Sequence, residues 1–149
     1  LMVFDPIIYV DDLTKLHPQY ITFHVEATKD IVKTIEAIKS RGIKVGLSLK
    51  PHTDLYELMP YLSLIDLVLI MSVEPGAGGQ EFIPASVKRL QELLKIRAEN
   101  QLAFKIEMDG GLNSDTIRLV PDLDMAVSGS FVCNSDHYQE RIEALKVQQ

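Results

Sequence analysis

The stretch best equipped for chemistry is Lys105-Ile106-Glu107-Met108-Asp109-Gly110-Gly111-Leu112-Asn113. An apolar strand runs up to an acid, and two glycines follow at once. Side chains two apart on a strand share a face, so Glu107 and Asp109 point one way and Phe104, Ile106 and Met108 the other. The glycines allow a tight turn and a close approach of backbone to ligand. A carboxylate at the C-terminal lip of a strand, beside bare N–H groups, suits acid/base or metal chemistry. The competing reading is an acid that caps the helix that follows.

Two other loops carry the same signature: Pro75-Gly76-Ala77-Gly78-Gly79 and Ser128-Gly129-Ser130. All three follow the C-terminal ends of successive predicted strands. In parallel α/β folds these loops lie on one side of the sheet, where ligands bind. Successive exposed N–H groups at helix starts hold anions without any lysine. Three such loops on one rim predict a phosphate site rather than plain turns. No Walker-type Gly-Lys-Ser/Thr and no Gly-x-Gly-x-x-Gly occurs, which argues against a nucleotide loop.

Other reactive side chains say less. His24 ends its strand beside Glu26; it reads as a satisfied structural histidine, with a place on the rim as the alternative. His17, His52 and His137 read as surface. Met2 and Met71 lie near strand ends, as core or as the wall of a ligand pocket. Ser72 and Ser130 have no evident histidine–acid partners, so a hydrolase triad is unsupported. Cys133 reads as packing. Lys50 ends a strand and either approaches a ligand or is solvated.

The elements that must position these residues alternate. Leu1 to Phe4 is apolar and β-prone. Asp5-Pro6 marks a helix start, and His17-Pro18 ends that helix. Strands are predicted over 19–26, 43–49, 65–73, 102–109 and 125–128. Helices are predicted over 30–41, with Ile31, Ile35 and Ile38 on one face, and over 53–62 and 84–100, the last with Val87, Leu90 and Leu94 facing the core. Further helices follow at 114–120 and at 136–146, with Tyr138, Ile142 and Leu145 aligned. Counting the stub at Leu1, six strands with crossover helices give a parallel sheet in one domain, 1–149.

Bulk properties narrow the classes. The chain has 149 residues, 46% hydrophobic and 24% charged, with a net charge of −6. That balance argues against nucleic-acid or anionic-lipid partners but not against a phosphorylated substrate. A single cysteine excludes an internal disulfide and points to a reducing compartment, the cytoplasm. No apolar run is long enough to span a membrane. The opening Leu1-Met2-Val3 lacks an initiator methionine and a signal-peptide pattern, and reads as the middle of a strand whose upstream part is absent.

Taken together, several stretches resemble the ribulose-phosphate 3-epimerase family: Leu1-Met2-Val3, Ile21 to Ala27 (ITFHVEA), Lys44 to Leu47 (KVGL), Met71 to Gly76 (MSVEPG), Gly78-Gly79-Gln80, Phe82-Ile83-Pro84, Ile106 to Gly111 (IEMDGG) and Val127 to Ser130 (VSGS). They occur in order along nearly the whole chain. The resemblance implies a (β/α)8 TIM barrel of the ribulose-phosphate-binding type, of which this chain holds about strands 3 to 8 and lacks roughly the first two. It implies one divalent metal ion (zinc, iron, manganese or cobalt) and a homo-oligomer acting on a phosphorylated ketopentose. It also implies interconversion of D-ribulose 5-phosphate and D-xylulose 5-phosphate in the pentose phosphate pathway. One aspartate takes the proton beside the ketone and a second returns one to the opposite face.

By the same resemblance Asp109 is that second aspartate and a metal ligand. Gly76, Ala77, Gly78, Gly79, Gly110, Gly111, Gly129 and Ser130 match substrate and phosphate contacts, and Met71 walls the pocket. The family's other aspartate, its two metal-ligand histidines and a substrate-contacting serine precede the point where this chain begins. Ala77 stands where the family has Phe, and Pro121-Asp122-Leu123 replaces Ala-Gly-Ala. The expectation is therefore an epimerase whose present chain is inactive alone. The alternatives are an allulose-6-phosphate-type epimerase and a non-catalytic phosphate- or partner-binding paralogue.

Overall fold

Among the described residues five parallel strands form one sheet in the order of the chain: β1 (Tyr20–His24), β2 (Lys44–Leu49), β3 (Leu67–Met71), β4 (Lys105–Asp109) and β5 (Met125–Val127). The structure is a computed structural model and describes residues 1–146; the last three residues of the expected domain lie outside the described residues. A sheet that adds each strand beside the last, never reversing, is wound as a segment of a (β/α)8 barrel rather than as a doubly wound open sheet.

The registers divide the strands into two faces. Ile21, Phe23, Val45, Leu47, Leu49, Val68, Ile70, Ile106 and Met108 point to one side and are all buried. There they pack on Ile35 and Ile38 of α2 (Ile31–Lys39) and on Leu90 and Leu93 of α3 (Ala85–Glu99). Thr22, His24, Gly46, Ser48, Leu69, Met71, Glu107, Asp109, Met125 and Val127 share the other, concave side. That side mixes polar and apolar groups and is open to solvent at Thr22, Leu69, Glu107, Asp109, Met125 and Val127. Chemistry is therefore confined to the concave face by strand alternation alone.

Local signals explain most element ends. Asp30 caps α2, its carboxylate accepting from Lys33 N at 3.0 Å, and Gly42 leaves the helix at φ +73°. The expected helix over 53–62 is a 3-10 helix, Leu55–Tyr61, with Pro60 inside it. Proline lacks the N–H that an α-helix would use there. The expected helix at 114–120 likewise tightens to a 3-10 turn, Thr116–Leu119. On α3 the buried residues are Ser86, Leu90 and Leu93, whereas Val87 and Leu94 only flank the core.

Three expectations are corrected. The stub at Leu1 to Phe4 is not a sixth strand. Only the amino group of Leu1 bonds to Thr22 O, and the chain then turns through Asp5 at φ +49°, so no ladder forms and Phe4 stands 92% exposed. Asp5 precedes the first 3-10 turn, Pro6–Tyr9, which runs into α1 (Val10–Thr14), but Asp5 makes no side-chain cap bond. On α5 (Tyr138–Leu145), Tyr138 and Ile142 are exposed and only Leu145 touches the core.

The N-terminal ends of the strands carry a repeated clamp. Asp66, just before β3, accepts from Val45 N at 2.9 Å and donates its own N–H to Val45 O at 2.8 Å. Asp124, just before β5, does the same with Ile106, at 2.8 and 3.1 Å, and is paired with Arg97. Each aspartate thereby fixes its strand against the previous one. Asp66→Ala is expected to lower the unfolding free energy by about 2 kcal/mol, the worth of a hydrogen bond to a charged group. A lower urea midpoint with an unchanged slope would show it.

Candidate active site

The chain ends of β3, β4 and β5 open on one cleft of about 270 Å³. Every site residue expected from the sequence lines it: Met71, Gly76, Ala77, Gly78, Gly79, Asp109, Gly110, Gly111, Gly129 and Ser130. Met2 closes it from the amino-terminal segment. The three glycine loops, spread between residues 75 and 130, are thus one rim. Gly129 precedes α4 (Ser130–Cys133), a short helix at the edge of the cleft.

Each loop is held by an identifiable bond. Ser72, fully buried after β3, donates its hydroxyl to Asp109 O (2.9 Å) and Gly110 O (2.7 Å), while its N–H also bonds Asp109 O at 2.8 Å. Ser72 has no part in a triad; its function is to fasten the β3 end to the Asp109 turn. Sequence reasoning missed this, since a serine after a strand carries no signal of its own. Gln80 closes the 74–80 loop by donating to Glu74 O and Ala77 O, both at 2.7 Å. Ser128 bonds Leu112 O at 2.7 Å and so ties the last rim loop to the Asp109 loop.

Gly110 and Gly111 hold φ +120° and +64°. A side chain on Gly110 would meet Val73, and one on Gly111 would meet the backbone of Phe82. The turn is therefore possible only with bare backbone, and its N–H groups are left beside Asp109 without a side-chain screen. The competing reading of Asp109 as a helix cap fails: the nearby 3-10 turn follows Asp115, and Asn113 is the residue whose side chain accepts from Asp115 N and Thr116 N. Burial pushes the Asp109 carboxyl up from the ordinary aspartate range. Glu107, one pleat below, is pushed up by burial and then by the charge of Asp109. A carboxyl that keeps its proton to higher pH suits a proton donor.

The profile of the Ribulose-phosphate 3 epimerase family matches residues 1–133. The chain belongs to that family. Among its relatives, the ribulose-phosphate 3-epimerase of Buchnera aphidicola (subsp. Baizongia pistaciae) is 39% identical over 143 residues, covering 92% of this chain and 63% of the relative. The Treponema pallidum ribulose-phosphate 3-epimerase is 37% identical, covering 87% and 61%. The Schizosaccharomyces pombe ribulose-phosphate 3-epimerase is 33% identical, covering 98% and 63%. The chain spans just under two thirds of the length of these relatives.

Family membership sharpens the metal question. Among the described residues no three His, Cys, Asp or Glu side chains group to hold a metal ion. In the cleft, Asp109 is accompanied only by Glu74, which sits on the rim loop and pairs with His52 at 3.2 Å. The donor set of this chain does not make a divalent-metal site by itself, because one carboxylate leaves most coordination positions unfilled.

The remaining residues do not line this cleft. Cys133, expected to pack, is exposed, because α4 is a single turn at the edge of the sheet. His17, His52 and His137 are exposed. His24 departs from expectation: it is buried, but its Nδ1 has no hydrogen-bond partner. Lys50 is exposed, and its backbone N–H is taken by Glu26 at 2.9 Å.

Proposed function

We propose that this chain carries the phosphate-gripping and proton-returning part of a ribulose-phosphate 3-epimerase. The observation that carries the reading is the joining of Asp109 to three glycine loops in one cleft. The phosphate of a ketopentose sits against the N–H groups of Gly110, Gly111, Gly129 and Ser130, with Gly76 to Gly79 folding over it. This leaves the carbon next to the ketone beside Asp109. Met71, 1% exposed, forms the apolar wall below.

In the reaction a base removes the C3 proton and the electron pair passes into an enediolate. Asp109, protonated, returns a proton to the opposite face of C3, so the centre inverts and the carboxylate is left to be reprotonated. Burial of Asp109 favours the protonated form that this step needs. Among the described residues no ligand set holds a metal beside Asp109. Cytoplasmic location and a homo-oligomeric state belong to the same proposal. Among the described residues no helix is long and apolar enough to cross a membrane.

Calorimetric titration of the chain tests the reading. D-ribulose 5-phosphate is expected to bind at least about tenfold more tightly than inorganic phosphate, because the sugar adds contacts beyond the anion. It is also expected to outbind D-allulose 6-phosphate. Equal affinity for all three would leave only an anion site, and tighter binding of the hexose would change the substrate class.

A further inference from the structure

We propose that His24 and the hollow beside it form a second subsite of the cleft, which takes the hydroxyl end of a sugar phosphate. This rests on the sugar-phosphate reading above and assigns the opposite end of that ligand. The hollow, about 260 Å³, is bounded by His24, Glu26 and Lys50 and shares Met2, Pro75 and Gly76 with the main cleft. The two spaces are neighbours across one loop and one side chain, not separate sites.

His24 faces Glu26 on one side and lines the hollow on the other. It lies on the concave face, opposite Ser48 in the register, and its side chain is 6% exposed. Its Nδ1 is buried without a hydrogen-bond partner and lies 3.5 Å from Glu26 Oε2. With Nδ1 turned to Glu26, Nε2 on the other side of the ring is the nitrogen left to meet a ligand in the hollow. Glu26 is held in place from behind by Lys50 N at 2.9 Å and by the Thr53 hydroxyl. Burial pushes the Glu26 carboxyl up, but His24, Thr53 and the backbone N–H groups of Lys50 and Glu26 outweigh it and bring it down to about 2. The imidazole is thus backed by a fixed negative charge.

That charge decides which end of the ligand fits. A phosphate beside Glu26 would meet a like charge, whereas a hydroxyl can both donate to and accept from the imidazole. The bare N–H groups that suit the phosphate lie across the sheet at β4 and β5. A ketopentose phosphate gripped there and passing Asp109 directs its C1 hydroxyl toward β1, where His24 stands.

Calorimetry on the full 149-residue chain with D-xylulose 5-phosphate, 1-deoxy-D-xylulose 5-phosphate and inorganic phosphate tests this, since the two sugars differ only in the C1 hydroxyl. His24→Leu is expected to weaken D-xylulose 5-phosphate about tenfold, one hydrogen bond's worth, and to leave the other two probes unchanged. His24→Gln, which keeps a polar atom near the position of Nε2, is expected to recover most of that loss. Equal weakening of all three probes by His24→Leu would mark a structural role and overturn the proposal, as would unchanged affinity for D-xylulose 5-phosphate. If the parent chain binds neither sugar, the sugar-phosphate reading itself falls and takes this subsite with it. Where thermal unfolding shows that His24→Leu does not fold, His24→Asn carries the test. It is expected to lose the same tenfold on the 1-hydroxylated sugar alone, and no loss overturns the subsite.

Discussion

Gly110→Ala is expected to abolish measurable phosphate binding and to destabilise the fold by about 2–4 kcal/mol. The position holds φ +120°, where an L side chain is strained in any surroundings. A Cβ there would lie 2.4 Å and 2.6 Å from the two methyls of Val73 and 2.9 Å from its Cβ. Val73 is buried and branches at the point of collision, so it has no free end to swing away. Relief must come from the Asp109 turn itself, which moves both the acid and the N–H groups behind it. Gly78→Ala is the matched control: its position has open space and no positive φ. It is expected to change stability by less than about 0.5 kcal/mol. Urea unfolding and phosphate titration of the two variants check the contrast, and a Gly110→Ala chain as stable and as tight-binding as the parent would refute it.

The isolated 149-residue chain is expected to interconvert D-ribulose 5-phosphate and D-xylulose 5-phosphate more than about 10⁴-fold more slowly than a full-length relative. Inversion at carbon needs a base on one face and an acid on the other. Among the described residues no acid stands opposite Asp109 across this cleft: Glu107 is on the same strand, and Glu74 is on the rim and paired with His52. Proton NMR in D2O is the decisive measurement. Deuterium incorporation at C3 and product formation should both match those of an Asp109→Asn variant. Turnover near that of a full-length relative would mean that the chain holds a base not recognised in its cleft.

The parts of the fold that repeat were legible, because periodicity survives the loss of context. Alternating strands and helices, the apolar run at 65–73 and the Ile31–Ile35–Ile38 stripe each state their own geometry. The site was legible for a related reason. Glycines directly after a strand mark the turn and the bare backbone together, so Gly76 to Gly79, Gly110, Gly111, Gly129 and Ser130 could be named before being brought together. What was not legible depends on partners far along the chain. Leu1 to Phe4 has strand composition but only one bond to β1. Tyr138 and Ile142 align on a face that nothing covers. Ser72 acquires meaning only from Asp109 and Gly110, 37 and 38 residues away. His24 reads as a satisfied structural histidine, whereas its Nδ1 stops 3.5 Å from Glu26 and makes no hydrogen bond.

The paired aspartates at the foot of the sheet bear on the cleft although they stand at its far end. A strand that slipped by a single residue would turn every side chain to the other face. In β4 such a slip would bury the Asp109 carboxylate among the α3 leucines and present Met108 to the ligand. Asp124 anchors Ile106 through two bonds, and Asp66 anchors Val45 in the same way, so a slip of either neighbouring pair must break both. The identity of the cleft-lining face is therefore guarded from the floor of the sheet, by residues that lie outside the cleft.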